Sequence, residues 1–258
     1  GLFLARAGRQ DMPNSITENG EALVQKTVLE NMNHDTAVVI DCGSNVGQWA
    51  CSILDAYQPR SASGSLQLYC FEPSSYTFAE LSKILKKYDG EKLSITVEHQ
   101  ALSSTPGLME LKIVHEGAGT NSLVPVPGTY NSVEQVEVTT LDRFVGEQGL
   151  SRIDLLKIDA EGHDFDVIRG ADGLLCGEKI GVIQFEYNWR WIHGRHFLLD
   201  IFEYFEDKNY SIGKLTPKGI QFYEEYDVAL ESFVEGNYLA CTQKWRNKFD
   251  AVGCWLDE

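Results

Sequence analysis

The sequence lacks any run of about 18 uncharged apolar residues, which is the length that a membrane-spanning helix requires. It also has little positive charge, since 22 lysines and arginines stand against 38 aspartates and glutamates and give a formal net charge of −16 at pH 7. Nucleic-acid binding depends on clustered lysine and arginine side chains. We therefore expect neither a membrane span nor a nucleic-acid partner.

Cysteine pairs of the C-x-x-C type, which are typical of zinc and redox sites, are absent. The six cysteines are widely scattered, and we interpret them as mostly buried thiols in a reducing compartment. The sequence also opens without the basic, apolar and small-residue regions of a secretory signal. These features predict a cytoplasmic protein, although Gly1 in place of methionine leaves open the loss of a leader.

The length of 258 residues is within the range of one α/β domain. A leading helix is predicted over 15–33, because Ser15 and Glu18 have the spacing of a capping box and apolar residues can line one face. The predicted division of the chain is an N-terminal helical extension (1–36), a main domain (37–245) and a C-terminal tail (246–258).

Short apolar runs alternate with helical patterns along most of the chain. Strands are predicted over 37–41, 66–72, 93–98, 154–159 and 181–186. This alternation predicts a parallel sheet with helices on both faces. Two stretches, 109–141 and 210–242, instead have the pattern of paired strands that decorate the sheet. The first contains a glycine-rich loop that is long enough to cover a ligand, or that is a plain surface loop.

The turn Asp41–Gly47 directly follows the first strand and is the strongest motif. Small residues in a strand-to-helix turn let the backbone approach a nucleotide-like cofactor, although a ligand-free tight turn has the same pattern. The G-x-G-x-x-G fingerprint of dinucleotide enzymes is missing, and Asn45 tolerates the positive φ that such a turn requires. Glu72 ends the next strand, where a carboxylate can bind both hydroxyls of a ribose or remain a solvated charge before Pro73.

Further motifs occur in a fixed order with this turn. They are Asp41-x-Gly43-x-Asn45-x-Gly47, Phe71-Glu72-Pro73, Ala101-Leu102-Ser103, Thr140-Leu141-Asp142 and Lys157-Ile158-Asp159-Ala160-Glu161-Gly162. This series, from about Val38 to Glu186, resembles the FkbM family of S-adenosylmethionine-dependent methyltransferases. The resemblance implies an α/β, Rossmann-like class I methyltransferase fold with a mostly parallel seven-stranded sheet, helices on both faces and an inserted β-hairpin. It also implies methylation of an oxygen, often a sugar hydroxyl.

The resemblance further implies which residues bind S-adenosylmethionine. The turn after the first strand would approach the methionine part, Glu72 would hold the ribose, and Gln100 with Ala101 would border the adenine. The residues assigned to the cofactor are Asp41, Gly43, Ser44, Asn45, Gly47, Glu72, Gln100, Ala101 and Asp159.

Four side chains near the ends of the fourth and fifth strands are the predicted catalytic residues: Asp159, Glu161, His163 and Glu186. Methyl transfer requires alignment of the accepting oxygen and removal of its proton. Either His163 or Asp159 acts as general base, which we favour, or the three carboxylates hold a divalent cation such as Mg²⁺. The pair His163-Asp164 replaces the Ala-Glu that many relatives have, so the sequence leaves the base unassigned. For Glu161, stabilisation at a helix N-terminus is the alternative role.

The segment after Glu186 is rich in aromatic rings and hydrogen-bond donors, a mixture that suits a sugar acceptor. The same rings are also common anchors at the edge of a core. The predicted substrate-binding residues are Asn121, Tyr187, Trp189, Trp191 and His193. The expected partner is a small-molecule or glycan acceptor, and the sequence leaves open a homo-oligomer.

Two rival functions share these features. A nicotinamide-dependent oxidoreductase has an acidic ribose-binding residue but is expected to carry the missing G-x-G-x-x-G. A binding or scaffold protein of the same fold could keep the cofactor and lose catalysis, yet the carboxylates Asp159, Glu161 and Glu186 are all present. The sequence therefore favours an O-methyltransferase.

Overall fold

A computed structural model describes residues 15–32, 34–58, 64–88 and 90–254. The strands are β1 Thr36–Cys42, β2 Ser65–Phe71, β3 Leu93–Glu98, β4 Ala101–Leu102, β5 Gly107–Ile113, β6 Ser132–Thr139, β7 Ile153–Ile158, β8 Ile180–Tyr187, β9 Tyr210–Thr216, β10 Gly219–Tyr223 and β11 Gly236–Thr242. The α-helices are α1 Glu21–Asn31, α2 Gln48–Ala56, α3 Ser75–Leu85, α4 Leu141–Gln148, α5 Asp164–Arg169, α6 Asp172–Cys176, α7 Trp191–Gly194, α8 Leu198–Phe205 and α9 Gln243–Arg246. Short 3₁₀ helices cover Lys86–Tyr88 and Val228–Leu230.

The main sheet of the described chain has eight strands in the order β10-β9-β11-β8-β7-β1-β2-β3. Strands β3, β2, β1, β7 and β8 run parallel, as the alternating pattern predicts. Strand β11 is antiparallel to both β8 and β9, and β10 is antiparallel to β9. The expected count of seven strands was therefore too low. The stretch 210–242 does not decorate the sheet but extends it, and β10 adds the eighth strand through a tight hairpin with β9.

The inserted hairpin consists of β5 and β6, which pair antiparallel over their full lengths. Strand β4 pairs parallel with β6, so the insertion forms a three-stranded sheet of its own. The segment 114–131 that joins β5 and β6 contains the glycine-rich loop 117–122. It reaches the carboxyl end of the main sheet, because Ser122 Oγ donates to the backbone oxygen of Glu161 at 2.8 Å.

Two apolar clusters cover the two faces of the main sheet. Along β1, Val39 belongs to the cluster under α1, α2 and α3, whereas Ile40 belongs to the cluster under α4, α5 and α8. Neighbouring residues of a strand point to opposite faces, so a strand that is covered on both sides is apolar at every position. Both residues are fully buried. None of the described helices has the length and apolarity that would let it cross a membrane.

The leading helix starts later than predicted. Residues 15–19 form a turn, and α1 begins at Glu21 because Gly20 adopts a φ of 96°, a left-handed conformation that interrupts a helix. The end of the predicted helix at residue 33, the first 14 residues of the extension and residues 255–258 of the tail lie outside the described residues. Of the described tail, Asp250 and Val252 form backbone hydrogen bonds with Ile220 of β10.

Candidate active site

Two cavities that share lining residues lie at the carboxyl ends of the parallel strands, next to the turn after β1. With the solvent at its opening included, the first has a volume of about 570 Å³ and the second about 690 Å³. Five residues line both: Gly43, Asn45, Gly119, Asp159 and Glu161. Ligands of open parallel sheets bind at this edge.

The turn after β1 requires its glycine and its asparagine for conformational reasons. Gly43 has a φ of 74°, and a Cβ atom there would lie 1.9 Å from the backbone oxygen of Asp159. Glycine is therefore required at position 43 for the close approach of two loops, whether or not a ligand is bound. Asn45 has a φ of 47°, the left-handed conformation that its residue type tolerates. Gly47 has a φ of 83°, while Ser44 Oγ donates to the backbone oxygen of Asp41.

Glu72 lies at the end of β2 with only 7% of its surface exposed. Its two carboxylate oxygens accept hydrogen bonds from the backbone N–H groups of Asn45 and Ser74, each at 2.9 Å. Burial raises the pKa of Glu72 to about 7, and these two hydrogen bonds counteract the rise. The carboxylate is thus fixed in the wall of the first cavity, and its remaining lone pairs can accept further hydrogen bonds.

A buried ion pair links β1 to β7. Lys157 Nζ lies 3.3 Å from Asp41 Oδ1 and 3.5 Å from Asp159 Oδ2. Burial alone would lower the pKa of Lys157, but the carboxylates of Asp41 and Asp159 raise it above its ordinary value. Sequence reasoning did not assign a role to Lys157. A lysine among the apolar residues Leu155, Leu156 and Ile158 was the available signal, since buried charges require partners.

Three of the predicted catalytic side chains meet at the ends of β7 and β8. One carboxylate oxygen each of Asp159, Glu161 and Glu186 lies within 4.8 Å of the others. Burial, followed by the charge of Asp159, raises the pKa of Glu161 to about 8 and the pKa of Glu186 well above its ordinary value. Arg190 Nη1 contacts Glu161 Oε2 at 2.9 Å, and Asn188 Nδ2 donates to Glu186 at 2.6 Å. Burial and like charge therefore oppose the simultaneous ionisation of all three carboxyl groups.

The turn that carries Glu161 is shaped by Asp164, which sequence reasoning noted only as a departure from the family pattern. Asp164 is fully buried, and its carboxylate accepts hydrogen bonds from the N–H groups of Ala160 at 3.3 Å and Gly162 at 3.1 Å. Burial raises its pKa to about 7. Glu161 itself has a φ of 54°. Asp164 therefore holds Glu161 in a left-handed conformation that a carboxylate residue seldom adopts.

His163 lines the first cavity, but its ring nitrogens have protein partners. Nε2 lies 2.9 Å from Ser103 Oγ, and Nδ1 lies 3.5 Å from Asp166 Oδ2. The side chain is 6% exposed, and burial lowers its pKa. A neutral imidazole held in this way supports the cavity wall and has little freedom to accept a proton from a substrate.

The remaining predicted cofactor and loop residues differ in placement. Ala101 lines the first cavity, whereas the amide of Gln100 donates to Glu98 Oε2 at 3.1 Å and does not line it. Asn121 lines the cavity, yet its side chain also stabilises its own loop. Its Oδ1 accepts from Val114 N at 2.9 Å, and its Nδ2 donates to His115 O at 3.2 Å.

The aromatic segment divides between core and surface. Tyr187 and Trp191 are fully buried, and the indole N–H of Trp191 donates to the backbone oxygen of Glu186 at 3.0 Å. Trp189 is 42% exposed, with the guanidinium of Arg190 4.7 Å from its ring centre and the ring of His193 at 5.8 Å. The structure thus separates two rings that support Glu186 from a ring that faces solvent.

The parallel strands covered by helices on both faces, with cavities at their carboxyl edge, define an open α/β fold of the kind that binds ligands at that edge. A family model described as the methyltransferase FkbM domain matches residues 41–212. The chain therefore belongs to the FkbM family of S-adenosylmethionine-dependent methyltransferases, as the motifs predict.

Individual relatives are distant. Over 157 residues the chain is 27% identical to Methyltransferase 1 of Beauveria bassiana, which covers 54% of this chain and 59% of that protein. Over 165 residues it is 25% identical to the hexuronic acid methyltransferase AglP of Haloferax volcanii, which covers 64% of this chain and 62% of that protein. The matches thus span about three fifths of these relatives' lengths. The crystal structure of an FkbM methyltransferase from Methylobacillus flagellatus superposes with a TM-score of 0.52 at 15% identity, over 93% of this chain and 58% of that one.

Proposed function

We propose that the protein transfers the methyl group of S-adenosylmethionine to a hydroxyl of a sugar, a glycan or a natural product. The carboxylate cluster of Asp159, Glu161 and Glu186 carries this proposal, because it places proton acceptors beside the cavity that Glu72 borders. The similarity to a protein named a hexuronic acid methyltransferase supports a sugar-like acceptor. Membership of the FkbM family favours the methyl donor over a nicotinamide cofactor.

The residues at the two cavities fit S-adenosylmethionine. Glu72 would accept hydrogen bonds from the ribose, and Ala101 would border the adenine in the first cavity. Among the buried polar atoms that lack hydrogen-bond partners in the described residues are Asn45 Oδ1 and Trp49 Nε1, and both residues line the second cavity. Buried polar groups without partners indicate a missing ligand or water. We therefore place the methionine part of the cofactor in the second cavity.

The chemistry requires alignment and proton removal. When bound, S-adenosylmethionine supplies a methyl group on a positively charged sulfur, and the sulfur leaves with the bonding electron pair. Glu161 accepts the proton of the acceptor hydroxyl as the oxygen bonds to the methyl carbon, since a base with a pKa of about 8 suits reaction near neutral pH. Asp159, which lines both cavities, orients the hydroxyl. His163 has a supporting role because both its nitrogens are engaged.

The same three carboxylates are the candidate ligands for Mg²⁺, and their spacing would allow a shared cation. Arg190 and Asn188 already contact two of them, at 2.9 Å and 2.6 Å. We therefore propose a reaction without metal, in which these neighbours hold the carboxylates in place. A methylation assay with and without a chelator tests this choice, because a metal-dependent enzyme would lose activity on chelation.

The acceptor would bind at the exposed rim next to the cluster. The ring of Trp189 can cover the apolar face of a sugar, while Arg190 and His193 can donate hydrogen bonds to its hydroxyls. Tyr187 and Trp191 would support this rim from the core, and Asn121 would border it from the opposite loop.

The most direct test measures cofactor binding and methyl transfer separately. Calorimetry with S-adenosylhomocysteine should show binding to the wild type and a loss of about 100-fold or more in Glu72→Ala, because two hydrogen bonds to a carboxylate are removed. The exposed variant Glu91→Ala is the control. Unchanged affinity in Glu72→Ala would refute the assigned role. A panel of sugars, nucleotide sugars and glycosylated metabolites should then reveal an acceptor that consumes the methyl donor.

A further inference from the structure

The second cavity contains a carboxylate that the proposed chemistry does not use. Glu21 is the first residue of α1 and precedes the matched residues 41–212. It lines the cavity together with Trp49, Lys157 and Asp159, and only 6% of its surface is exposed. A carboxylate at the start of a helix is ordinary, but one that is buried beside a cavity requires an explanation.

The Glu21 carboxylate is held in a fixed position. Asn19 Nδ2 donates to it at 2.8 Å, and Gln184 Nε2 of β8 donates to its other oxygen at 2.5 Å. The preceding Gly20 packs so closely that a Cβ atom there would lie 2.7 Å from the backbone oxygen of Thr216. On the next turn of α1, Gln25 Nε2 donates to the backbone oxygen of Trp49 at 3.3 Å. The N-terminal helix therefore presents this carboxylate rigidly.

The charges and unpartnered groups of the cavity match a zwitterion. Its lining contains three carboxyl groups, those of Glu21, Asp159 and Glu161, against the one ammonium of Lys157, so hydrogen-bond acceptors are in excess. Trp49 Nε1, on a side chain that is 4% exposed, is a buried donor without a partner among the described residues. The N-terminus of α2, at Gln48, adds free backbone N–H groups. The cavity thus offers acceptors for an ammonium group on one side and donors for a carboxylate on the other.

We propose that Glu21 binds the α-ammonium group of the methionine part of S-adenosylmethionine, while Trp49 and the start of α2 bind its carboxylate. This inference rests on the proposed function and extends it to a helix that lies outside the family match. Under this proposal α1 is part of the cofactor site. Glu21 also joins Asp159 in making the cavity selective for ligands that carry an amino group next to a carboxylate.

Two ligands separate this role from a general effect on the fold. S-adenosylhomocysteine has the amino-acid end, and 5′-methylthioadenosine shares the adenosine but lacks that end. In Glu21→Gln, which keeps the shape of the side chain, calorimetry should show about 10- to 100-fold weaker binding of S-adenosylhomocysteine, the effect of losing one charged hydrogen bond. Binding of 5′-methylthioadenosine should change by no more than about twofold.

Glu30→Gln is the matched control, because it makes the same chemical change at an exposed position of the same helix. It should leave both affinities at the wild-type value. Equal weakening of both ligands in Glu21→Gln, or no weakening of either, would overturn the proposal. If Glu21→Gln loses its cooperative thermal unfolding, Glu21→Asp is used in its place. This variant keeps the charge but withdraws it from the cavity, so weaker binding of S-adenosylhomocysteine with unchanged binding of 5′-methylthioadenosine is again expected. Failure of wild-type protein to bind S-adenosylhomocysteine would instead refute the proposed function.

Discussion

The two sides of the active site differ in how their charges are satisfied. On the cofactor side, at the ends of β1 and β2, Glu72 accepts two backbone N–H groups and Asp41 pairs with Lys157. On the proposed acceptor side, at the ends of β7 and β8, the carboxyl groups of Glu161 and Glu186 lie close together, and the charge of Asp159 adds to burial in raising their pKa values. The proposed cofactor side thus holds its carboxylates in fixed positions. The acceptor side holds unfavourable like charge, which a bound cation or proton relieves.

The largest expected effect comes from adding a side chain where the turn after β1 contacts the loop after β7. In Gly43→Ala the new Cβ would meet the backbone oxygen of Asp159 at 1.9 Å, so the turn and the β7 loop would have to separate. We expect a loss of at least about 3 kcal/mol in the free energy of unfolding and no measurable binding of S-adenosylhomocysteine. Urea unfolding and calorimetry measure the two effects.

A matched control isolates the clash from the backbone conformation. Gly128 has a φ of 79°, close to that of Gly43, but a Cβ atom there would meet nothing within 4 Å. Gly128→Ala should therefore cost only about 1–2 kcal/mol, the price of a left-handed alanine, and leave ligand binding intact. Equal losses of stability in the two variants would show that the approach of Asp159 is not what requires glycine at position 43.

The geometry of the proposed cofactor side could be predicted from the sequence because each of its parts is indicated by a short local pattern. The turn after β1, with its positive φ at Asn45, and the position of Glu72 at the end of β2 both follow from local patterns. The five parallel strands also follow from apolar runs of the right length. The eighth strand did not, because the hairpin of β9 and β10 has the same local pattern whether it extends a sheet or stands apart.

The acceptor side depended on contacts that are distant in sequence. The pairing of His163 with Ser103 spans 60 residues, and no local pattern indicates it. The salt bridge of Glu161 with Arg190 likewise joins two loops. Strand β8 ends at Tyr187, one residue later than predicted, which directs that ring into the core. Whether an aromatic residue of this segment can contact a substrate depends on the direction of its side chain. That direction is set by tertiary packing, which the local sequence does not show.

The second prediction concerns the pH dependence of methyl transfer. Because burial and Asp159 raise the pKa of Glu161 to about 8, a base at this position is mostly protonated near pH 6 and mostly ionised near pH 9. Turnover should therefore rise with pH through a midpoint near pH 8 to a plateau above about pH 9. Glu161→Gln should lower kcat by about 100-fold and abolish this rise, while binding of S-adenosylhomocysteine changes by less than about threefold.

The readout is kcat measured across this pH range with saturating acceptor. His163→Gln provides the comparison, since its imidazole contacts Ser103 and Asp166 and is assigned a supporting role. It should lower kcat without moving the midpoint of the pH profile. A profile that is unchanged in Glu161→Gln but shifted in His163→Gln would transfer the role of base to His163.

The smallest expected effect concerns stability and tests whether the acceptor side is held under electrostatic strain. Burial, and then the charges of Asp159 and Glu161, raise the pKa of Glu186 well above its ordinary value. The folded state therefore binds this proton more tightly than the unfolded state. The resulting stability is present below the ordinary pKa and is lost as the pH rises through the folded-state pKa. Above that pH, the ionised Glu186 destabilises the fold.

Glu186→Gln removes the charge and keeps an oxygen that can accept from Asn188 Nδ2, now at 2.6 Å from the carboxylate. Near pH 8 the variant should melt about 2–4 °C above the wild type, which corresponds to about 1 kcal/mol in a protein of this size. Near pH 5 the difference should shrink, because the wild-type carboxyl is then protonated. The exposed Glu225→Gln should show no such trend. A variant that is less stable than the wild type near pH 8 would mean that Glu186 is fully compensated, and the contrast between the two sides would then rest on Glu161 alone.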